Sequence, residues 1–368
     1  MRFVIRTDAS LKIGSGHLMR CLTLADGLRD RGAKVTFIVR EHKGHLTSVI
    51  DERGFSCHRM PVAEASMDTG DSHGPEHAHW LGCTQNEDAQ DTEVILADIG
   101  TVDWLIVDHY ALDIRWESRL RKHVRHIMVI DDLADRQHEC DVLLDQNLYA
   151  DFEARYRSLL PRECVSLLGP RYALMSSGFA QHRAFAKSKQ VASPYRLLVF
   201  FGGVDATDET GKFLQAWAAA KRPDLVANVV IGASNPRANS LTDLASQFAS
   251  IQVYRHITNM AEMMVQADYA FGASGVTNWE RFCTGLNSSI TGVASNQLVL
   301  ANDLAALGLI DYLGDWRSTS VATYERALLN LEPAAEKLVQ RRTRILDCVD
   351  GQGVPRVVQQ LTENGAEG

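Results

Sequence analysis

No stretch of this 368-residue chain approaches the roughly 20 consecutive apolar residues that cross a bilayer, so a transmembrane helix is excluded from its expected architecture. The opening MRFVIRTDAS reaches charged residues within a few positions and lacks the apolar core of a signal peptide, which predicts a soluble, cytoplasmic protein. Paired cysteines are also missing. Cys21, Cys57, Cys83, Cys140, Cys164, Cys283 and Cys348 are scattered, odd in number and nowhere spaced as Cys-x-x-Cys, which argues against a zinc site or a disulfide frame and for reduced thiols. Excess positive charge is absent as well. A formal net charge of -8 gives no general attraction to nucleic acid or to an anionic membrane, so neither partner is expected and any phosphate site must be local.

Two nucleotide fingerprints are missing too. The glycine loop LKIGSGH has no third glycine at the dinucleotide interval, and FFGGVDATD lacks the Gly-Lys-Ser/Thr ending of a P-loop. No metal-ligand cluster stands out either. His73, His77 and His79 lie in the acidic stretch DTGDSHGPEHAH, where neither a cysteine nor a helical frame supports them, so the segment reads as a solvated loop. No cofactor and no metal are expected.

What is present is enough apolar material for two cores, 45% of residues, in a chain longer than most single domains. A short strand over residues 1–7, a helix carrying Leu18, Cys21, Leu22, Leu24, Ala25 and Leu28, and a strand at Lys34 to Val39 open the chain as a βαβ unit. Further apolar runs at Trp104 to Val107, Ile127 to Ile130 and Val142 to Leu144 extend a parallel sheet. Met60 to Thr92 reads as a surface loop with room for one short helix, and Gln181 to Pro194 as the domain boundary. Beyond it, strands at Leu197 to Phe201, Ala227 to Ile231 and Ile251 to Tyr254 repeat the pattern, and the residues after Leu331 look helical. The predicted class is α/β, two Rossmann-like doubly wound domains with a cleft between them.

Three glycine-bearing turns follow strands: Gly14 to His17, Gly202 to Asp205, and Gly272 to Thr277. Small residues let backbone N–H groups approach an anion, and a helix N-terminus adds the equivalent of about half a positive charge. Each turn alone is equally explained by the sterics of a tight connection. His17, at a helix start, has the position of a general base and equally that of a residue capping the helix. Asp8 fits either the group that orients this imidazole or binds a sugar hydroxyl, or plain turn chemistry. Tyr110, in Asp108-His109-Tyr110 after the strand LIVD, lies where an open sheet offers its ligand crevice. Asp131 and Asp132 are adjacent on an extended segment and point opposite ways, as strand-ending anchors would, and Asp145-Gln146-Asn147 is ambiguous in the same way. Glu280 could accept from two ribose hydroxyls, or serve only as an acid favoured in a helix's first turn.

Taken together, IRTDASLKIGSGHLMRCLTLADGL, LIVDHYALDIRWE, VIDDLADRQHECDVLLDQN, GPRYALM, FFGGVDATD and FGASGVTNWERFCTGL resemble the PseG-type UDP-2,4-diacetamido-2,4,6-trideoxy-β-L-altropyranose hydrolases of pseudaminic acid biosynthesis. HITNMAEMMVQADYAFGASG resembles the nucleotide-binding half of MurG-like glycosyltransferases. The resemblance implies a glycosyltransferase-B-like fold: residues 1–180 would hold the sugar and the catalytic histidine, residues 195–335 the UDP, and residues 336–368 a helical segment with a polar tail. It implies hydrolysis at C1 with inversion and without a metal, the substrate being a UDP-sugar and the second reactant water. The histidine of its GSGH motif falls on His17, while Asp8, Gly14, Gly16 and Tyr110 stand as substrate-binding candidates by their positions at the glycine turn and strand ends. The Ile257 backbone would meet the uracil, Ser274, Gly275, Val276 and Thr277 the diphosphate and Glu280 the ribose, while Asn296 and Gln297 would face the cleft; Gly203 is a binding candidate through its glycine turn. The chain departs from the pattern in its insert and at Gln137 and Ser295. A UDP-sugar glycosyltransferase, a non-catalytic nucleotide-sugar binder and a nucleotide-sugar 2-epimerase are the competing readings; the oligomeric state is not read from the sequence.

Overall fold

The computed structural model describes residues 1–62, 74–190, 193–255, 257, 259–333 and 335–364. By its internal contacts the chain divides into two units. The first comprises Met1–Asn147, Asp151–Leu174 and Gly353–Gly368, and the second Leu148–Ala150 and Met175–Gln352.

The first unit opens with β1 (Arg2–Thr7), α1 (Gly16–Asp30), β2 (Lys34–Arg40), α2 (Thr47–Glu52) and β3 (Ser56–Met60). It continues through α3 (Gln85–Ile99), β4 (Val102–Asp108), α4 (Ile114–Leu120), β5 (Val124–Ile130), β6 (Val142–Asp145) and β7 (Val165–Leu168). The strands form one parallel sheet in the order β3-β2-β1-β4-β5-β6-β7. Strand periodicity sends successive side chains to opposite faces. Phe3, Ile5, Trp104 and Ile106 therefore join one apolar cluster, and Val4, Leu105 and Val107 another. Both faces being covered, the strands read as nearly continuous apolar runs.

The second unit holds α5 (Ser177–Ser188), β8 (Tyr195–Phe200), α6 (Glu209–Ala220), β9 (Leu225–Ile231), α7 (Ala238–Ala245), β10 (Ile251–Arg255) and α8 (Met260–Gln266). It ends with β11 (Tyr269–Ala273), α9 (Thr277–Cys283), β12 (Ser288–Gly292), α10 (Leu298–Ala306), β13 (Asp311–Asp315), α11 (Val321–Leu329) and α12 (Glu336–Cys348). Its sheet is parallel in the order β10-β9-β8-β11-β12-β13, around a core that includes Leu197, Val199, Phe213, Val229, Phe271 and Tyr324. In each sheet the order reverses direction beside the first strand, between β1 and β4 and between β8 and β11. Such switch points leave a crevice at the carboxyl ends of the strands.

Three details differ from the expectations. The chain passes between units near Leu174, and residues 181–188, expected at a boundary, belong to α5. The expected segment 336–368 is divided: α12 stays with the second unit, and the last helix, α13 (Gly353–Asn364), returns to the first. Its Val357, Val358 and Leu361 are fully buried in the cluster that holds Leu18 and Leu22 of α1. At Gly27 the two helices approach so closely that a Cβ would stand 2.4 Å from Val354 Cγ1. Finally, the stretch from Met60 to Thr92 contains the start of α3, capped by a reciprocal box between Thr84 and Glu87. That Thr-x-x-Glu signal stands in the sequence; the acidic, histidine-bearing composition before it obscured it. His73 of this stretch lies outside the described residues.

Leu361→Ala removes a fully buried side chain from the first unit's core. Urea unfolding should show a loss of about 2–5 kcal/mol, and a loss below about 0.5 kcal/mol would contradict the packing of α13 there.

Candidate functional site

The first switch point brings charged side chains together from α1, the end of β4 and the loop after β5. Thr7 at the end of β1 is in register with Asp108 at the end of β4. His17 is the second residue of α1, so the helix directs it over this crevice. Its Nδ1 lies 2.5 Å from Asp108 Oδ1. Arg20, one turn on, donates from Nε and Nη2 to the two oxygens of Asp108, each at 2.7 Å. Cys21 adds a thiol contact to Oδ2 at 3.3 Å. Burial opposes the charge of Asp108, which has no exposed surface, but Arg20 and then His17 outweigh it and hold the carboxyl far below the usual carboxylate range.

An ionised Asp108 at 2.5 Å requires a donor, so Nδ1 carries the proton; the guanidinium contact to the same nitrogen, at 3.3 Å, is the weaker one. The tautomer follows. Nε2 of His17 is the basic nitrogen, and it has no hydrogen-bond partner among the described residues. This is the arrangement by which a carboxylate fixes a histidine as a general base.

Tyr110 packs edge-on against His17, ring centres 4.4 Å apart, and its hydroxyl donates to Asp132. Asp132 also accepts from Arg20 Nη1 at 3.0 Å. Asp131 turns the other way, to Arg136 at 2.8 Å and to the Ala134 N–H and the Tyr156 hydroxyl. Of the adjacent pair, only Asp132 therefore belongs to the site. Asp145 faces Arg155, Tyr156 and the Asn147 N–H, so it anchors the loop after β6. Gln146 accepts from the Leu174 N–H at the end of the unit.

Asp8 does not orient His17. It is fully buried, paired with Arg6 at 2.6 Å and 2.9 Å, bonded to the Arg40 N–H at 2.7 Å, and within 3.2 Å of His109 Nε2. Arg6 also joins Asp88 on α3, so Asp8 ties β1, β2 and α3 together and has no exposed surface. Asp108 and Arg20 are the partners that spacing did not single out. Asp108 is 91 positions from His17 and becomes its neighbour only when β1 and β4 pair. Gly14 closes the turn that precedes the helix through a bond from its N–H to the Ser10 carbonyl at 2.8 Å, and Gly16 begins the helix, exposed.

The second switch point carries the Ser274 to Thr277 turn after β11. Gly275 sits at φ +119°, where a side chain would strain the backbone. Ser274 Oγ accepts from Asn278, and Thr277 Oγ1 donates to the Ala273 carbonyl. Beneath the turn lies the buried guanidinium of Arg281, bonded to the Ala273 carbonyl at 2.7 Å and to Asn278 at 2.6 Å. Val276 is half-buried at the N-cap of α9. Gln297 comes beside Gly275, its amide nitrogen 3.7 Å from where a Cβ would stand, and Asn296 is exposed on the same short turn. Gly203, after the neighbouring β8, packs so closely on Gly232 that a Cβ there would lie 2.2 Å from its carbonyl oxygen. Ile257 is half-buried beyond β10.

Glu280 is half-buried and its carboxylate has no hydrogen-bond partner among the described residues. Burial pushes its carboxyl up to about 7, with Arg281 pulling the other way.

Among curated proteins, the chain is 27% identical over 312 residues to the UDP-2,4-diacetamido-2,4,6-trideoxy-β-L-altropyranose hydrolase of Campylobacter jejuni, covering 84% of this chain and 97% of that protein. It is 22% identical over 371 residues to the spore coat polysaccharide biosynthesis protein SpsG of Bacillus subtilis, covering 99% and 98%. The solved structure of Acinetobacter baumannii MurG matches with a TM-score of 0.66 at 12% identity, covering 98% of this chain and 99% of that one. Arabidopsis thaliana UGT89C1 complexed with UDP matches at 0.65 and 11%, with the same coverage. No family model matches. The resemblance read from the motifs thus extends over most of the chain, and the fold is of the glycosyltransferase-B type.

The raised pKa of Glu280 makes stability pH-dependent. The folded state holds this proton more tightly than the unfolded chain, so the contribution is complete below about 4.5 and is lost as pH rises through about 7. Glu280→Gln should match the wild type in urea unfolding at pH 5 and exceed it at pH 8. Equal stability at both pH values would show the carboxyl to be unperturbed.

Proposed function

We propose that the protein hydrolyses a UDP-linked 2,4-diacetamido-2,4,6-trideoxy sugar, releasing UDP and the free sugar with inversion at C1. The observation that carries the reading is the His17–Asp108 pair, which leaves a basic nitrogen facing the switch-point crevice of the first unit. The likeness to the Campylobacter jejuni hydrolase over 84% of the chain supports the choice of substrate.

Nε2 of His17 takes a proton from water while the water oxygen bonds to C1. The bond from C1 to the diphosphate oxygen breaks and its electron pair leaves with UDP. The imidazolium that forms is stabilised by Asp108, whose negative charge Arg20 keeps in place. UDP spreads its charge over several phosphate oxygens and leaves without a strong general acid. In the second unit, the Ser274 to Thr277 turn with the Arg281 charge beneath it holds the diphosphate, and Glu280 accepts from the ribose hydroxyls. Gly203, Asn296 and Gln297 complete that side, and the Ile257 backbone meets the uracil. On the sugar side Tyr110 borders the ring, with Gly14 and Gly16 shaping the approach to His17. No step in this scheme uses a metal or a cofactor.

Phosphorus NMR of the protein with UDP-2,4-diacetamido-2,4,6-trideoxy-β-L-altropyranose in metal-free buffer should show release of UDP without any acceptor but water. His17→Ala should lose about 10²–10⁴-fold in rate with UDP affinity nearly unchanged, and Asp108→Asn, which favours the wrong tautomer, should lose a comparable factor. Turnover only after an acceptor is added would make the protein a glycosyltransferase; an equal loss of UDP affinity in His17→Ala would remove His17 from the role of base.

A further inference from the structure

Hydrolysis as described makes no use of the segment before α3, yet its short 3-10 turn Ala78–Trp80 lies beside His17 and Tyr110. The Trp80 ring centre is 5.6 Å from that of Tyr110, the planes tilted by 30°, and 6.4 Å from that of His17, edge to face. His77 stands edge-on behind both, at 4.5 Å from Trp80 and 5.4 Å from Tyr110. Tyr110 is buried, whereas Trp80 is only half-buried. Burial lowers the pKa of His77, with Glu76 and Asp135 opposing, so this ring is uncharged near neutral pH and the surface it builds with Trp80 is apolar.

The turn is held where it is. Trp80 N–H donates to the His77 carbonyl at 2.9 Å, and α3 begins at Gln85, four residues after Leu81. Asp88 in the first turns of that helix is locked by Arg6 at 2.7 Å, Arg40 at 3.0 Å and Trp116 at 3.1 Å. A fixed aromatic ring beside His17 borders whatever occupies the space in front of Nε2, which in the hydrolase reading is the sugar.

The geometry points to Trp80 as a specificity-determining residue: its ring packs on a methyl-bearing face of the sugar, with His77 as the positioning residue behind it. This rests on the hydrolase reading for the identity of the sugar. A 2,4-diacetamido-2,4,6-trideoxy pyranose carries methyl groups at C6 and on both acetamido groups, where an ordinary hexose carries hydroxyls. An aromatic face favours the first by removing apolar surface from water and offers the hydroxyls nothing. Each methyl group so buried is worth about fourfold in affinity, so a ring that covers one or two of them is worth on the order of tenfold.

Steady-state kinetics with UDP-2,4-diacetamido-2,4,6-trideoxy-β-L-altropyranose test the assignment. Trp80→Ala should raise KM about tenfold with a smaller change in kcat and an unchanged inhibition constant for UDP, and Trp80→Phe should recover most of the loss. An unchanged KM, or a parallel loss of UDP affinity, would overturn it. Should the wild type release no UDP, the hydrolase reading falls, and the wall is then read by itself. Titration of the free 2,4-diacetamido-2,4,6-trideoxy sugar should change the tryptophan fluorescence of the wild type and leave that of Trp80→Phe unaltered. The same titration decides the matter if Trp80→Ala does not fold, and an identical response in wild type and Trp80→Phe overturns the proposal.

Discussion

A single buried carboxylate organises the first unit. Asp108 has no exposed surface, and removing its charge from water would cost several kcal/mol without compensation. Two guanidinium N–H groups of Arg20 and the imidazole N–H of His17 supply that compensation. The same bonds dock the first turns of α1 onto the end of β4, so the contact that satisfies the charge also sets the position and tautomer of His17.

A second buried network supports the first from the side. Arg6 lies between Asp8 and Asp88, Arg40 reaches Asp88 as well, and Trp116 adds its indole N–H. These bonds join β1 and β2 to α3 and α4, elements far apart in sequence. Their consequence for the site is indirect. They fix the helix that follows the insert, and with it the aromatic turn at residues 77–80 that faces Tyr110 and His17. Asp8, for all its position at the end of a strand, is occupied by this structural task.

In the proposed reading, the second unit holds the diphosphate without lysine. Its turn after β11 combines a glycine in a conformation closed to other residues, backbone N–H groups at a helix start and one buried arginine. A guanidinium already bonded to a main-chain carbonyl and an asparagine is held rigidly, so its field is directed before any ligand arrives. Beside it, the Glu280 carboxylate has no hydrogen-bond partner among the described residues, and burial lifts it to about 7.

The sequence by itself determined the class of fold, because strand and helix periodicities and the glycine turns after strands are local signals, read within a dozen residues. It also offered His17, Tyr110, the Ser274 to Thr277 turn and Glu280 as candidates, each tied to a strand end or helix start. Composition was a poorer guide where signals overlapped: the Thr84–Glu87 box that begins α3 was masked by the acidic stretch around it. Only the tertiary structure decided which carboxylate serves His17. Asp8 and Asp108 both end strands, and their sequence positions favour the nearer one, but β1 pairs with β4 and the parallel register sets Thr7 opposite Asp108. The return of α13 to the first unit, the place of Arg281 under the turn after β11 and the aromatic wall at Trp80 were decided in the same way. Each depends on contacts between elements distant in the chain, and burial and pairing exist only once those elements have packed.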